Sequence, residues 1–119
     1  MKLTVTQLRC LLAVYALSGM REEVASKNVA KLLDVSRPAV HNMLDMLLRI
    51  GLLEKQPYGA ARLTPDGIAL ARALEERREK LELLFSRRLG LPMDEAAAAA
   101  LLLMSGLQEE SLARLEALA

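Results

Sequence analysis

Tryptophan is absent from this 119-residue chain, and aromatic residues together make up 3% of it. A core without large rings must be filled by Leu, Ala, Val and Met, the mix of packed helices. Cysteine occurs once, at Cys10, which excludes an internal disulfide and suits a reducing cytosol. On an apolar helical face, Cys10 is expected to pack rather than react. Histidine also occurs once, at His41, and a lone histidine builds neither a zinc site nor a Ser-His-Asp arrangement. No apolar run reaches about 18 residues, so no membrane span is expected. The start, MKLTVTQLRCLL, is broken by Thr, Gln and Arg and does not read as a signal peptide. A cytoplasmic protein is the expectation. No Gly-rich phosphate loop, HExxH, CxxC or paired-carboxylate site stands out, so neither an enzyme nor a small-molecule substrate is expected.

The net charge is only +1, which excludes a strongly basic nucleic-acid coat. Its distribution is uneven. Residues 1–66 hold nine Lys/Arg against six Asp/Glu, and residues 67–119 hold seven against nine. The basic half is the one suited to face phosphates.

That half contains SKNVAKLLDVSRPAVHNMLDMLLRIG, Ser26 to Gly51. Ser26 is placed to N-cap a helix with Val29, Leu32 and Leu33 on one face. Asp34-Val35 reads as a tight turn, because Asp tolerates a left-handed backbone. Ser36 caps a second helix with Pro38 in its first turn, where the missing N–H costs nothing. Val40, Leu44 and Leu47 form the buried stripe, and Gly51 ends the helix. Arg37, His41, Asn42, Asp45 and Arg49 fall on the opposite face. Short hydrogen-bonding groups at the start of such a helix suit the reading of base edges in a major groove. An ordinary surface helix of an all-helical domain has the same pattern.

The following stretch separates the two. Leu52–Gln56 and Ala60–Thr64 flank Pro57-Tyr58-Gly59 and read as a hairpin. A hairpin directly after such a helix is a wing. The fold expected is mainly α: a winged helix-turn-helix with a small two-stranded wing over residues 1–66, then a helical dimerisation region over 67–119.

Thr4 or Thr6 is placed to cap a first helix running to about Ser18-Gly19, with Leu8, Leu11, Leu12, Tyr15 and Leu17 apolar. Met20 to Ala25 reads as a polar connector. Thr64-Pro65-Asp66-Gly67 opens a long helix to about Leu89, stopped by Gly90. Its apolar positions are Ile68, Leu70, Leu74, Leu81, Leu84, Phe85 and Leu89, and Arg78 takes a slot where an apolar residue belongs. Met93–Met104 is apolar on every side after Asp94-Glu95, so it must be buried in a core or an oligomer interface. Gln108–Leu118 is amphipathic, with Leu112, Leu115 and Leu118 inward. Met43 and Met46 read as filler under the wing.

VAKLLDVSRPAVHNMLDMLLRIGLLEKQPYGAARLTPDGIALA, followed by Glu82-Leu83-Leu84-Phe85 and Leu89-Gly90-Leu91, resembles the iron-dependent repressors of the diphtheria-toxin-repressor type. Cys10–Leu17 resembles that family's first helix. The sharper parts are Ser36-x-Pro38-x-Val40, Gly51–Leu53 and Leu63–Gly67. The resemblance implies a homodimer that binds pseudo-palindromic double-stranded DNA when loaded with Fe²⁺ or Mn²⁺. Carried over by position, the family's metal ligands fall on Arg9, Arg78, Glu82, Ala97, Leu101, Met104 and Ser105. Only Glu82 keeps a ligand-type side chain, and a hard divalent ion needs several converging oxygen or imidazole donors. No cofactor is therefore expected. Arg78 and Glu82, four apart, face the same way. Either the guanidinium replaces the cation, with help from Arg9, or both side chains are simply solvated.

The function expected is sequence-specific DNA binding as a homodimeric transcriptional regulator, a repressor, without a bound metal. Arg37, His41 and Asn42 are the candidates for base edges, beside Pro38, with Ser36 on phosphate. Lys27, Asn28, Lys55, Tyr58 and Arg62 are placed for the backbone. His41 is otherwise a neutral surface residue. Two alternatives stay open. One is a metal-responsive Mn/Fe repressor with a degenerate site, using Glu82, Glu79 or Cys10. The other is a protein-binding winged helix that uses the Met93–Met104 surface.

Overall fold

In the computed structural model, residues 2–19 and 23–119 are described, with Tyr58 by its backbone alone. The elements run α1 (Val5–Ser18), β1 (Val24–Ala25), α2 (Ser26–Leu33), α3 (Arg37–Arg49), β2 (Leu53–Lys55), β3 (Ala60–Leu63), α4 (Pro65–Leu83), α5 (Met93–Gly106) and α6 (Glu109–Glu116). The fold is the winged helix-turn-helix that the spacing predicts. The chain divides into two compact units, Thr6–Arg72 and Met1–Val5 with Ala73–Ala119. That division falls inside α4, six residues beyond the boundary expected after Asp66.

The amino-terminal unit is built on side chains with almost no exposure: Leu8, Cys10, Leu11, Val14, Val29, Val40 and Leu47. Cys10 packs as expected, and burial pushes its thiol up to about 11, which keeps it protonated and inert at neutral pH. The turn between α2 and α3 follows local chemistry. Asp34 adopts φ 55, ψ 51, the left-handed conformation, and its N–H closes α2. Ser36 Oγ accepts the Ala39 N–H at 3.3 Å, and Pro38 sits in the first turn of α3. Val40, Leu44 and Leu47 are buried, and Gly51 leaves the helix at φ 82.

The wing is larger than its sequence. β2 and β3 form the expected hairpin, with Leu53 opposite Leu63, Glu54 opposite Arg62 and Lys55 opposite Ala61. β1 adds a third antiparallel strand, with Val24 against Ala61 and Ala25 against Ala60. The expected connector from Met20 thus ends in a strand; its residues 20–22 lie outside the described set. This strand also corrects the cap of α2. Ala25 stays extended to pair with Ala60, so it occupies the N-cap position, and Ser26 is already the first helical residue.

α4 opens on Thr64. Its Oγ1 accepts the Gly67 N–H at 3.0 Å and donates to the Gly51 carbonyl at 2.7 Å. Gly67 lies against the Leu52 carbonyl so closely that a Cβ there would run into it. The glycine is required by this approach. The helix ends in a wide π turn, Leu84–Arg88, then Gly90 at φ 69.

In the carboxyl-terminal unit Leu81, Leu84, Phe85, Ala96, Ala100, Met104 and Leu112 are buried. α5 ends at Gly106, and the extended Leu107 caps it. Several apolar positions are exposed against expectation. Leu32 leaves the narrow buried stripe of the eight-residue α2, which carries Val29 and Ala30. Met46 and Ile68 are also exposed rather than filler, and Leu89 lies past the π turn, which shifts it off the stripe. Leu118 falls beyond the end of α6 and is exposed rather than inward. α5 is not enclosed all round: Met93 and Leu102 are 63% and 61% exposed.

Candidate nucleic-acid interface

α3 is held by one face and open on the other. Val40, Leu44 and Leu47 seat it, while Arg37, Pro38, His41, Asn42 and Arg49 are exposed and Asp45 is half-buried. Arg37 and His41 are one turn apart and Asn42 is adjacent, so the three project from the first turns of the helix. Ser36 is exposed, and its oxygen is engaged by the Ala39 N–H, which leaves its hydroxyl hydrogen available to an acceptor. The positive end of the α3 dipole lies at the same place. Arginine and asparagine have the donor and acceptor geometry for guanine and adenine edges.

The flanking cations differ in availability. Lys27 and Asn28 are exposed in the first turn of α2, and Lys55 is exposed on β2. Arg62 is half-buried; its Nη2 reaches Glu23 Oε1 at 3.4 Å, and its Nε is buried without a partner. Glu54 stands opposite it across the strand pair. The Tyr58 side chain lies outside the described residues. Sequence reasoning missed the Arg62–Glu23 pair because Glu23 comes alongside through β1.

The family metal positions form no donor set. Arg9 donates to the Leu33 carbonyl at 3.4 Å within the amino-terminal unit. Arg78 lies over the single retained carboxylate, with Nη1 2.5 Å from Glu82 Oε2, and it is also paired with Glu75. Hydrogen bonding to Glu75 raises the Arg78 pKa further, so the group is a permanent cation. Met104 is a buried thioether and Ser105 a half-buried hydroxyl, both poor ligands for Mn²⁺ or Fe²⁺. Among the described residues no group of three or more His, Cys, Asp or Glu converges to hold an ion. These residues do not fit a divalent metal. No helix among the described residues is long and apolar enough to cross a membrane.

Comparison with known proteins agrees with the winged helix-turn-helix architecture. Residues 2–61 match the family described as iron dependent repressor, N-terminal DNA binding domain. The chain is 31% identical over 93 residues to an uncharacterized HTH-type transcriptional regulator of Methanocaldococcus jannaschii, covering 78% of this chain and 74% of that protein. The structure of the manganese regulator SloR superposes with a TM-score of 0.81 at 28% identity, covering 93% of this chain and 52% of SloR. The crystal structure of T. acidophilum IdeR gives a TM-score of 0.71 at 25% identity, covering 91% of this chain and 51% of IdeR. The chain therefore spans about half the length of these solved regulators.

Proposed function

Because the chain belongs to the iron-dependent repressor family, we propose that it is a cytoplasmic transcriptional repressor that binds double-stranded DNA sequence-specifically as a homodimer, with no divalent ion required. The observation that carries this reading is the two-sidedness of α3: a buried Val40–Leu44–Leu47 stripe behind exposed Arg37, His41 and Asn42. In this reading α3 enters the major groove, and Arg37, His41 and Asn42 meet base edges, with Pro38 beside them. Ser36, Lys27, Asn28, Lys55, Tyr58 and Arg62 meet phosphates. Arg62 contributes least, since Glu23 already holds it. The homodimer forms through the carboxyl-terminal helices. Exposed Met93 and Leu102 on α5 support that role, because apolar side chains left open on one helix suit a second copy. Half-sites then lie about 34–36 Å apart, one turn of DNA.

The test is selection of bound DNA from a random pool, followed by band-shift titration of the selected site at two salt concentrations. Arg37→Ala is expected to weaken specific binding by about 1–3 kcal/mol, and Lys55→Ala to reduce the salt slope by about 1 without changing sequence preference. Equal losses on selected and random DNA for Arg37→Ala would remove the base-reading role. A monomer in sedimentation that fails to select DNA would favour a protein-binding module.

A further inference from the structure

Two adjacent arginines on α4 gather four carboxylates between them. Arg77 reaches across to α6. Its Nη1 and Nη2 meet both oxygens of Glu109 at 2.7 and 2.6 Å, and its Nε meets Glu116 Oε1 at 2.6 Å. Its side chain is only 17% exposed. Arg78 stays on its own helix and takes Glu75 and Glu82, one turn before and one turn after. All three guanidinium nitrogens of each arginine are engaged.

The two arginines therefore do different work. The Arg78 pairs lie within α4, so they neutralise a half-buried carboxylate face but cannot join one helix to another. Arg77 alone of the two joins elements. Glu109 and Glu116 are seven apart, at the two ends of one face of α6, and the planar guanidinium fork spans them. Holding several carboxylates on one positive centre, and so fixing the elements that carry them, is the task a structural divalent ion performs. Here the positive charges are covalently part of the chain. They cannot dissociate, be chelated or be diluted, and a metal at Glu82 would have to displace Arg78 and lie beside its charge.

We infer that the carboxyl-terminal unit is locked by two built-in guanidinium ions in place of an exchangeable divalent metal, with Arg77 as the cross-link between α4 and α6 and Arg78 as the neutralising cation on α4. The inference deepens the metal-free part of the function proposed above. The lock answers to ionic strength and acid, which weaken ion pairs, and not to the supply of Mn²⁺ or Fe²⁺.

The test uses the full chain and no DNA. After dialysis against a chelator it is titrated with Mn²⁺, Fe²⁺ and Zn²⁺ by calorimetry, and its thermal unfolding is followed with and without each ion. The expected result is no saturable binding, and a Tm unchanged within about 1 °C at about 1 mM ion, since a ligand of the native state must raise it. Arg77→Met is expected to lower the Tm by roughly 5–15 °C and to speed amide exchange across 109–116 about tenfold or more. Arg77→Lys keeps the charge but loses the fork, and is expected to recover less than half of that drop. Micromolar binding of Mn²⁺ or Fe²⁺ with a rise in Tm would overturn the inference. So would Arg77→Met and Arg77→Lys both unfolding, and exchanging at 109–116, as the parent does. Because these readouts involve no DNA, failure of the DNA-binding reading leaves them unchanged, whereas metal binding would overturn the inference and the metal-free part of that reading and leave its DNA-binding part standing.

Discussion

The two units of this chain are stabilised in opposite ways. In Thr6–Arg72 the ion pair among the described residues is Arg62 with Glu23, half-exposed at 3.4 Å, while seven core side chains are sealed from solvent. In the unit that follows, Arg77 and Arg78 carry dense charged contacts, and the four most exposed large apolar side chains among the described residues, Leu89, Met93, Leu102 and Leu118, lie there. A surface that reads DNA needs a rigid mount, and close apolar packing supplies it. A region that leaves such apolar side chains exposed buries less of its own core, and charge-assisted hydrogen bonds then make up part of the stability.

This contrast can be broken at its strongest point in the amino-terminal unit. Gly67→Ala pushes a methyl group into the Leu52 carbonyl, so α4 must lift from the wing. The expected loss is about 3 kcal/mol or more in chemical denaturation, and none would mean the approach is looser than described. A smaller effect separates the units by pH. Hydrogen bonds from Arg77 hold the Glu109 carboxyl below its ordinary range, with the Arg77 and Lys2 charges assisting. A lowered carboxylate pKa gives stability that is complete above the unfolded-state value, about 4.3 for glutamate, and is lost as pH falls through the folded-state value. Docking of α6 is therefore expected to weaken below about pH 4, ahead of the amino-terminal core, and amide exchange at 109–116 against 40–47 would show the order. Arg77→Met should abolish that difference in acid response. The smallest effect belongs to the exposed pair: Arg62→Met is expected to change stability by less than about 0.5 kcal/mol. A loss of several times that would make the sheet, like the second unit, dependent on ions.

What the sequence makes legible follows the range of the interactions. Asp34, Ser36, Pro38, Gly51 and Thr64 announce their roles because a cap or a turn is decided within about four residues. Arg78 and Glu82 are legible for the same reason, being four apart on a helix. β1 is not legible. Two residues, Val24 and Ala25, carry no periodicity, and their partners lie 35 or more positions onward, at Ala60 and Ala61. That missed strand moved the α2 cap from Ser26 to Ala25. The role of Arg77 is not legible either, because its carboxylates are 32 and 39 residues away. The available signal was Glu109 and Glu116 spaced seven apart on α6, the right interval for one cation to span. Periodicity gives the stripes of α2, α4 and α6 but not where each stops being covered, which is why Leu32, Ile68, Leu89 and Leu118 read as inward yet are exposed.

The hydroxyl of Thr64 has one further consequence. It touches the carbonyl of Gly51 and the N–H of Gly67, which fastens the exit of α3 to the entrance of α4. Everything between those points is a closed loop whose mouth is clamped. The tip around Pro57–Gly59 lies beyond that clamp, so a change of length there is expected to alter the reach of the wing before it disturbs the seat of α3.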